Sequence, residues 1–267
     1  MLDKIKDLRE KTGAGMVDCK KALEESGGDM EKAVEILRKK GIAKAAKRGE
    51  REANEGLVLV SADAAKKKAF ILEVNSETDF VSRSEKFNNL VNEIFALIQS
   101  REPKTRDVLL SLAMADGNNV KDNLDHLSGV VGEKLVIKNF AVLNTAGSVA
   151  SYSHFGGRIG VIVALDQAGQ EDLAYDLAMQ IAAANPRCVT RKEVPAGEIE
   201  KEKEIYREQL LKEGKGEAMM EKILEGKLNK YFEEICLVDQ EYIKDDKKKI
   251  RDILGDTKIE AYARYSL

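Results

Sequence analysis

"EGLVLVSADAAKKKAFILEVN", residues 55–75, sets two apolar runs of different kinds around a polar, lysine-rich turn. The first run alternates and the second is nearly continuous, which reads as two strands of an antiparallel hairpin. Directly after it, Phe87, Leu90, Val91, Ile94, Phe95 and Ile98 recur at the 3.6-residue period of an amphipathic helix. The same order returns later. "GSVASYSHFGGRIGVIVALD" (147–166) gives two strands around a glycine-rich turn, and Leu173, Ala174, Leu177, Ala178, Ile181 and Ala182 form the stripe of the helix that follows. Each half also closes alike, on GEKLVIKNFAVL (132–143) and on GDTKIEAYARYSL (255–267), a glycine and an acid before a strand. Two pseudo-repeated units, each an antiparallel sheet packed on one face by helices, place the chain in the α+β class.

Outward from this core, the first 40 residues read as three short helices. Leu2, Ile5 and Leu8 mark one, Met16, Cys19 and Leu23 a second ended by Gly27-Gly28, and Asp29 caps a third carrying Met30, Ala33, Val34 and Leu37. So small a unit fits a binding module better than a catalytic domain. RKKGIAKAAKRGER (38–51) then carries seven basic residues and one acid, either a solvated linker helix or a phosphate-contacting strip. In the second half, Pro186 and Pro195 precede two charged helical runs, 196–212 and 217–232, whose narrow apolar seams suit a projecting antiparallel helical hairpin. The expected organisation is a helical module at 1–41, a basic linker at 42–54, and core subdomains at 55–144 and 145–267, the second with the hairpin inserted.

Composition narrows the function classes. Of 267 residues, 44 are basic and 47 acidic, a balance unlike that of a general nucleic-acid binder. No run approaches the length of a membrane span. The N-terminus has neither signal-peptide nor transit-peptide character, and Cys19, Cys188 and Cys236 are widely spaced and odd in number, so a reduced cytoplasm is expected. Phosphate-loop, HExxH, GxSxG and kinase signatures are absent. The glycines of TGAGMVDCKK follow a helix rather than a strand, with Asp18 at the third glycine position, which argues against a dinucleotide site. Of two histidines, His126 reads as a surface helical residue and His154 as a contact or turn residue beside Phe155.

"ILEVNSETDFVSRSE" (71–85) poses the sharpest functional question. Asp79 and Phe80 stand side by side, flanked by Thr78 and Val81, in what reads as a loop between a strand and a helix. A chain with 7 Phe and no Trp spends a scarce ring here. Three readings stay open: Asp79 joins Glu73 and Glu77 around a metal, Phe80 and Val81 roof the core, or the pair is presented to a partner.

Residues 8–41, LREKTGAGMVDCKKALEESGGDMEKAVEILRKKG, closely resemble the N-terminal module of the bacterial elongation factor Ts family. NSETDFVSRSEKF (75–87), SYSHFGGRIGVIVA (151–164) and CLVDQEYIKDD (236–246) resemble further segments of it in the same order. The resemblance implies a ubiquitin-associated-like fold for the first module. It also implies a nucleotide exchange factor for the GTPase elongation factor Tu, without bond-changing chemistry, cofactor or metal of its own. By motif position it points to Arg9, Met16, Val17 and Lys20 as contacts in the first module and to Asp79, Phe80, His154, Ile243 and Lys244 in the core, with Thr78 and Val81 expected to bind the partner beside Asp79 and Phe80. The alternative of another class is a ribosome- or RNA-associated protein using the basic linker.

Overall fold

A computed structural model describes residues 1–46, 48, 50–213 and 217–267. Helices α1 (Leu2–Thr12), α2 (Met16–Glu25) and α3 (Met30–Ala46) come first. Ile5, Leu8, Cys19, Ala22, Leu23, Ala33 and Leu37 close a small core between them. Asp29 accepts from the amides of Glu31 (3.0 Å) and Lys32 (3.1 Å), so it does cap α3. Because α3 runs to Ala46, the first residues of the expected linker are helical; Lys47 and Gly49 lie outside the described residues.

The first core subdomain follows as β1 (Glu55–Ala62), β2 (Lys68–Ser76), α4 (Asp79–Ser82), α5 (Glu85–Arg101), α6 (Arg106–Ser111), α7 (Val120–Val131) and β3 (Val136–Asn144). The second holds β4 (Ser148–His154), β5 (Ile159–Leu165), α8 (Glu171–Ala184), the hairpin pair α9 (Ala196–Lys212) and α10 (Glu217–Ile235), β6 (Glu241–Tyr242), β7 (Asp245–Lys249), α11 (Ile250–Leu254) and β8 (Ile259–Ser266). Residues 214–216, read as part of the turn between α9 and α10, lie outside the described residues.

Both main sheets share one plan. Strand order is β1-β2-β3 in the first and β4-β5-β8 in the second, antiparallel throughout, so a hairpin's second strand becomes the centre and a strand from beyond the helices closes its other edge. Alternation then assigns each face. Phe70, Leu72 and Val74 of β2 meet Phe87, Val91, Ile94 and Ile98 of α5, while Val161, Val163 and Leu165 of β5 meet Leu177, Ala178 and Ile181 of α8. Burying one such side chain contributes about 1.5–3 kcal/mol. The opposite faces, which the sequence leaves unassigned, pack on each other: Val58, Ala69 and Ile71 meet Val149, Ile162 and Ala164. The core is therefore helix, sheet, sheet, helix, and β2 reads as a continuous apolar run because it is covered on both sides.

The first module is seated on this core through α3 and α7. Arg38 pairs with Asp122 at 2.6 Å, and Arg48 donates to the Ser128 carbonyl at 3.0 Å. A Cβ added at Gly129 would lie 2.6 Å from the Gly41 Cα, so glycines let the two backbones approach. His126, expected at the surface, is instead half-buried beside this seam. Burial first, then Arg38 and Lys86, pull its pKa below the ordinary imidazole value.

Candidate functional site: an exposed aromatic on a clamped helical turn

The segment expected as a loop at Asp79–Phe80 is a single helical turn, α4. Val81, expected to bind the partner, instead points inward into the core and is 9% exposed, whereas Phe80 is 84% exposed, so the ring does not roof the core. Each end of the turn is held. At the front, the Glu133 carboxylate accepts from the Thr78 amide (3.0 Å) and hydroxyl (2.6 Å). At the back, the Asn88 side-chain amide donates to the carbonyls of Ser82 (3.0 Å) and Ser84 (2.9 Å), and Ser84 caps α5. Held at both ends, Phe80 is presented to solvent from a fixed mount.

The three carboxylates weighed as a metal set turn to separate partners. Glu73 meets Lys138 at 3.0 Å and Asn139 at 2.8 Å. Glu77 accepts from the Lys134 amide (2.6 Å) and Arg51 (3.2 Å), which hold its pKa below the usual carboxylate value. Asp79 pairs with Arg83 at 3.0 Å. Among the described residues no cluster of three or more His, Cys, Asp or Glu is placed to hold a metal.

A second aromatic, unread in the sequence, stands on the β4–β5 turn. Phe155 is 73% exposed with φ 49°, and Gly156 (φ 64°) and Gly157 (φ 90°) complete the turn in the left-handed region. Its ring centroid lies 4.1 Å from that of His154, whose Nδ1 is 2.8 Å from the Tyr152 hydroxyl. The turn is tied to β1, because the Val58 amide donates to the Gly157 carbonyl (2.8 Å) and Arg158 pairs with Glu55 (2.8 Å). Glu55 pairs in register with Ser76, two residues before Thr78. Both exposed rings thus flank the same end of β1. The only sequence signal for Phe155 is the glycine pair behind it.

From His154 an aromatic strip continues along α8. Tyr152 meets Tyr175 edge-on at 5.7 Å. The neighbouring Asp176 accepts from the Tyr242 hydroxyl (2.5 Å) and pairs with Lys244 (2.6 Å). Burial first, with the Asp176 carboxylate, pushes the Tyr242 phenol up to about 12. Ile243, 48% exposed, sits in the β6–β7 turn with its amide on Gln180 (2.9 Å), so the 243–244 turn packs on α8, the helix whose Tyr175 meets Tyr152 beside His154.

The remaining positions are elsewhere, on the helical module: Met16 is 40% and Val17 66% exposed, with Arg9 and Lys20 exposed nearby. A line of contacts joins the linker just after α3 to the mount of Phe80. Arg48 reaches Ser128, the Ser128 hydroxyl donates to the Glu133 carbonyl (2.5 Å), and Glu133 clamps Thr78.

A family model described as Elongation factor TS matches residues 77–267, beginning at the residue before Thr78. Over 278 aligned positions the chain is 46% identical to "Elongation factor Ts" of Chlorobaculum parvum and 47% identical to that of Chlorobaculum tepidum. Each alignment covers 98% of this chain and 96% of the relative. The conjunction of a repeated sheet-and-helix core, a helical first module and these full-length similarities settles membership: the chain belongs to the elongation factor Ts family.

Proposed function

We propose that the protein is a guanine nucleotide exchange factor for elongation factor Tu and that it changes no covalent bond itself. The observation that carries the reading is Phe80, an almost fully exposed ring on a turn clamped at both ends. Leaving such a ring in water gains nothing for folding, and a pre-positioned aromatic anchor is what an interface uses best. In a GTPase the bound Mg²⁺ bridges phosphate oxygens and protein ligands, while backbone amides at a helix N-terminus cradle the phosphates. Phe80 acts as an apolar wedge beside that centre and stabilises the form in which the arrangement is broken. Asp79, held toward Arg83, opposes phosphate charge rather than taking a metal. Thr78 and Val81 fix the turn.

The other surfaces supply affinity. Arg9, Met16, Val17 and Lys20 dock the first module on the partner, and His154, Ile243 and Lys244 extend the contact along α8. Accelerating GDP loss a thousandfold corresponds to about 4 kcal/mol. One buried aromatic contributes roughly 2–4 kcal/mol, a large share but not all. Linkage makes the effect reciprocal, so GDP or GTP weakens the factor by the factor's own effect on nucleotide and ejects it. Among the described side chains of the basic stretch, Arg38, Lys40, Arg48 and Arg51 are engaged within the chain, which favours a structural linker over an RNA strip.

Stopped-flow release of a fluorescent GDP analogue from purified elongation factor Tu tests this directly. The unaltered protein is expected to speed release by orders of magnitude, and Phe80→Ala to lose about 30- to 1,000-fold of that. Equal acceleration by both proteins removes the wedge. No acceleration by either removes the exchange reading altogether.

A further inference from the structure

Cys188 and Cys236 are 48 positions apart, yet their Sγ atoms lie 3.5 Å from each other. The backbone brings them together. Cys188 and Cys236 form an isolated parallel bridge, in which the Cys188 amide donates to the Ile235 carbonyl (3.2 Å) and the Leu237 amide to the Cys188 carbonyl (3.0 Å). Adjacent strands run about 4.8 Å apart, inside the roughly 4.4–6.8 Å Cα separation that disulfides span. Both cysteines are free thiols here, Cys236 fully buried and Cys188 half-buried. Moving from 3.5 Å to bonding distance requires side-chain rotation, not a shift of the chain.

We propose that Cys188 and Cys236 are an oxidisable dithiol, which a hydroperoxide converts to a disulfide closing a covalent ring around the α9–α10 hairpin. Cys188, the accessible thiol, gives its proton to solvent and attacks one peroxide oxygen. An S–O bond forms, the O–O bond breaks, and the departing hydroxide (alkoxide, for an organic hydroperoxide) leaves as water or alcohol after taking a proton. Cys236 Sγ then attacks the sulfenic sulfur; the S–S bond forms, the S–O bond breaks, and the second oxygen leaves as water with the Cys236 proton. Two thiols together lose two electrons and the peroxide gains them. Burial holds both groups protonated at rest, with Cys236 pushed up to about 12 by burial and by Cys188 beside it. The pair is therefore slow beside an exposed, low-pKa cysteine, and it answers to sustained oxidant rather than to a brief pulse.

The place of the bond gives it a consequence. Arg187 and Glu198 already pair at the hairpin root (2.6 and 3.1 Å), and Tyr231 also donates to Glu198. Oxidation turns this polar latch into a covalent one and fixes where α9 and α10 leave the core.

The test uses the full chain. It is treated with hydrogen peroxide, alkylated under denaturing conditions and peptide-mapped by mass spectrometry. The expected product links the Cys188 and Cys236 peptides, lacks two hydrogens and is reversed by dithiothreitol, while buried Cys19 remains alkylatable. Protease nicking within 196–232 should then leave one band on a non-reducing gel and two after reduction. Free thiols at peroxide levels that oxidise exposed Met16 and Met219 overturn the proposal, as does over-oxidation of Cys188 without a cross-link. In Cys236→Ala, where no second thiol can respond, dimedone should trap a Cys188 sulfenic acid. A variant without trapped sulfenic acid rules out the order of steps, and if that variant fails to fold the peptide map on the unaltered chain decides alone.

Discussion

Phe80 and Val81 are neighbours with opposite energetic duties. Truncating Val81, which packs among Leu72, Phe87 and Val91, should cost about 1–3 kcal/mol of unfolding free energy in urea titrations. Truncating Phe80 should leave stability within about 0.5 kcal/mol of the unaltered protein, since the ring loses no packing inside the fold. Equal costs for the two substitutions would mean that the ring packs somewhere within the chain. This contrast was only half legible in the sequence. Adjacent apolar residues at the start of a helix can share a face or split between faces, and one turn of helix is too short to show a period. Phe155 was less legible still. Phenylalanine has no preference for the left-handed region, so only its tertiary setting holds it at φ 49°.

At the scale of elements, α4 depends on the connection that delivers the chain from β2. Glu77 makes that connection by receiving the Lys134 amide and Arg51. Its folded pKa lies below the usual carboxylate value, with the Lys134 amide the leading cause. A depressed carboxylate stabilises the fold fully above its unfolded pKa and loses that contribution as pH falls through the folded value. The stability gap between the unaltered protein and Glu77→Gln should therefore be constant from pH 7 to about 5 and shrink below about 4.5. A gap that widens in acid would reverse the assignment. The long helices and strands were readable because each repeats its apolar residues over many positions. Glu133 was not, since it acts from beyond α7 on a residue 55 positions earlier.

Across the whole molecule, the seating of the first module on α7 fixes how far Met16 and Val17 stand from Phe80. Gly129→Ala would drive a methyl group into the Gly41 backbone and should weaken that seat by about 1–3 kcal/mol. Faster proteolysis within 42–54, with the urea transition of the core unchanged, is the expected result; unchanged cleavage would mean that the seam yields easily. The sequence announced two similar halves through their repeated order of strands and stripe. It was silent on what joins them, because mutual burial of two sheet faces appears only as the near-continuous apolar character of β2 and β5. The proximity of Cys188 and Cys236 was equally invisible, being created by the return of α10 to its own root. The shared sheet plan also bears on how the chain is made. Central strands β2 and β5 emerge with one edge unpaired, and their third strands, β3 and β8, are synthesised only after the intervening helices. At about 5–20 residues per second, each apolar edge stays open on the nascent chain for a time on the order of 3–20 s. Those two intervals, one for each half, are when a chaperone has most to hold.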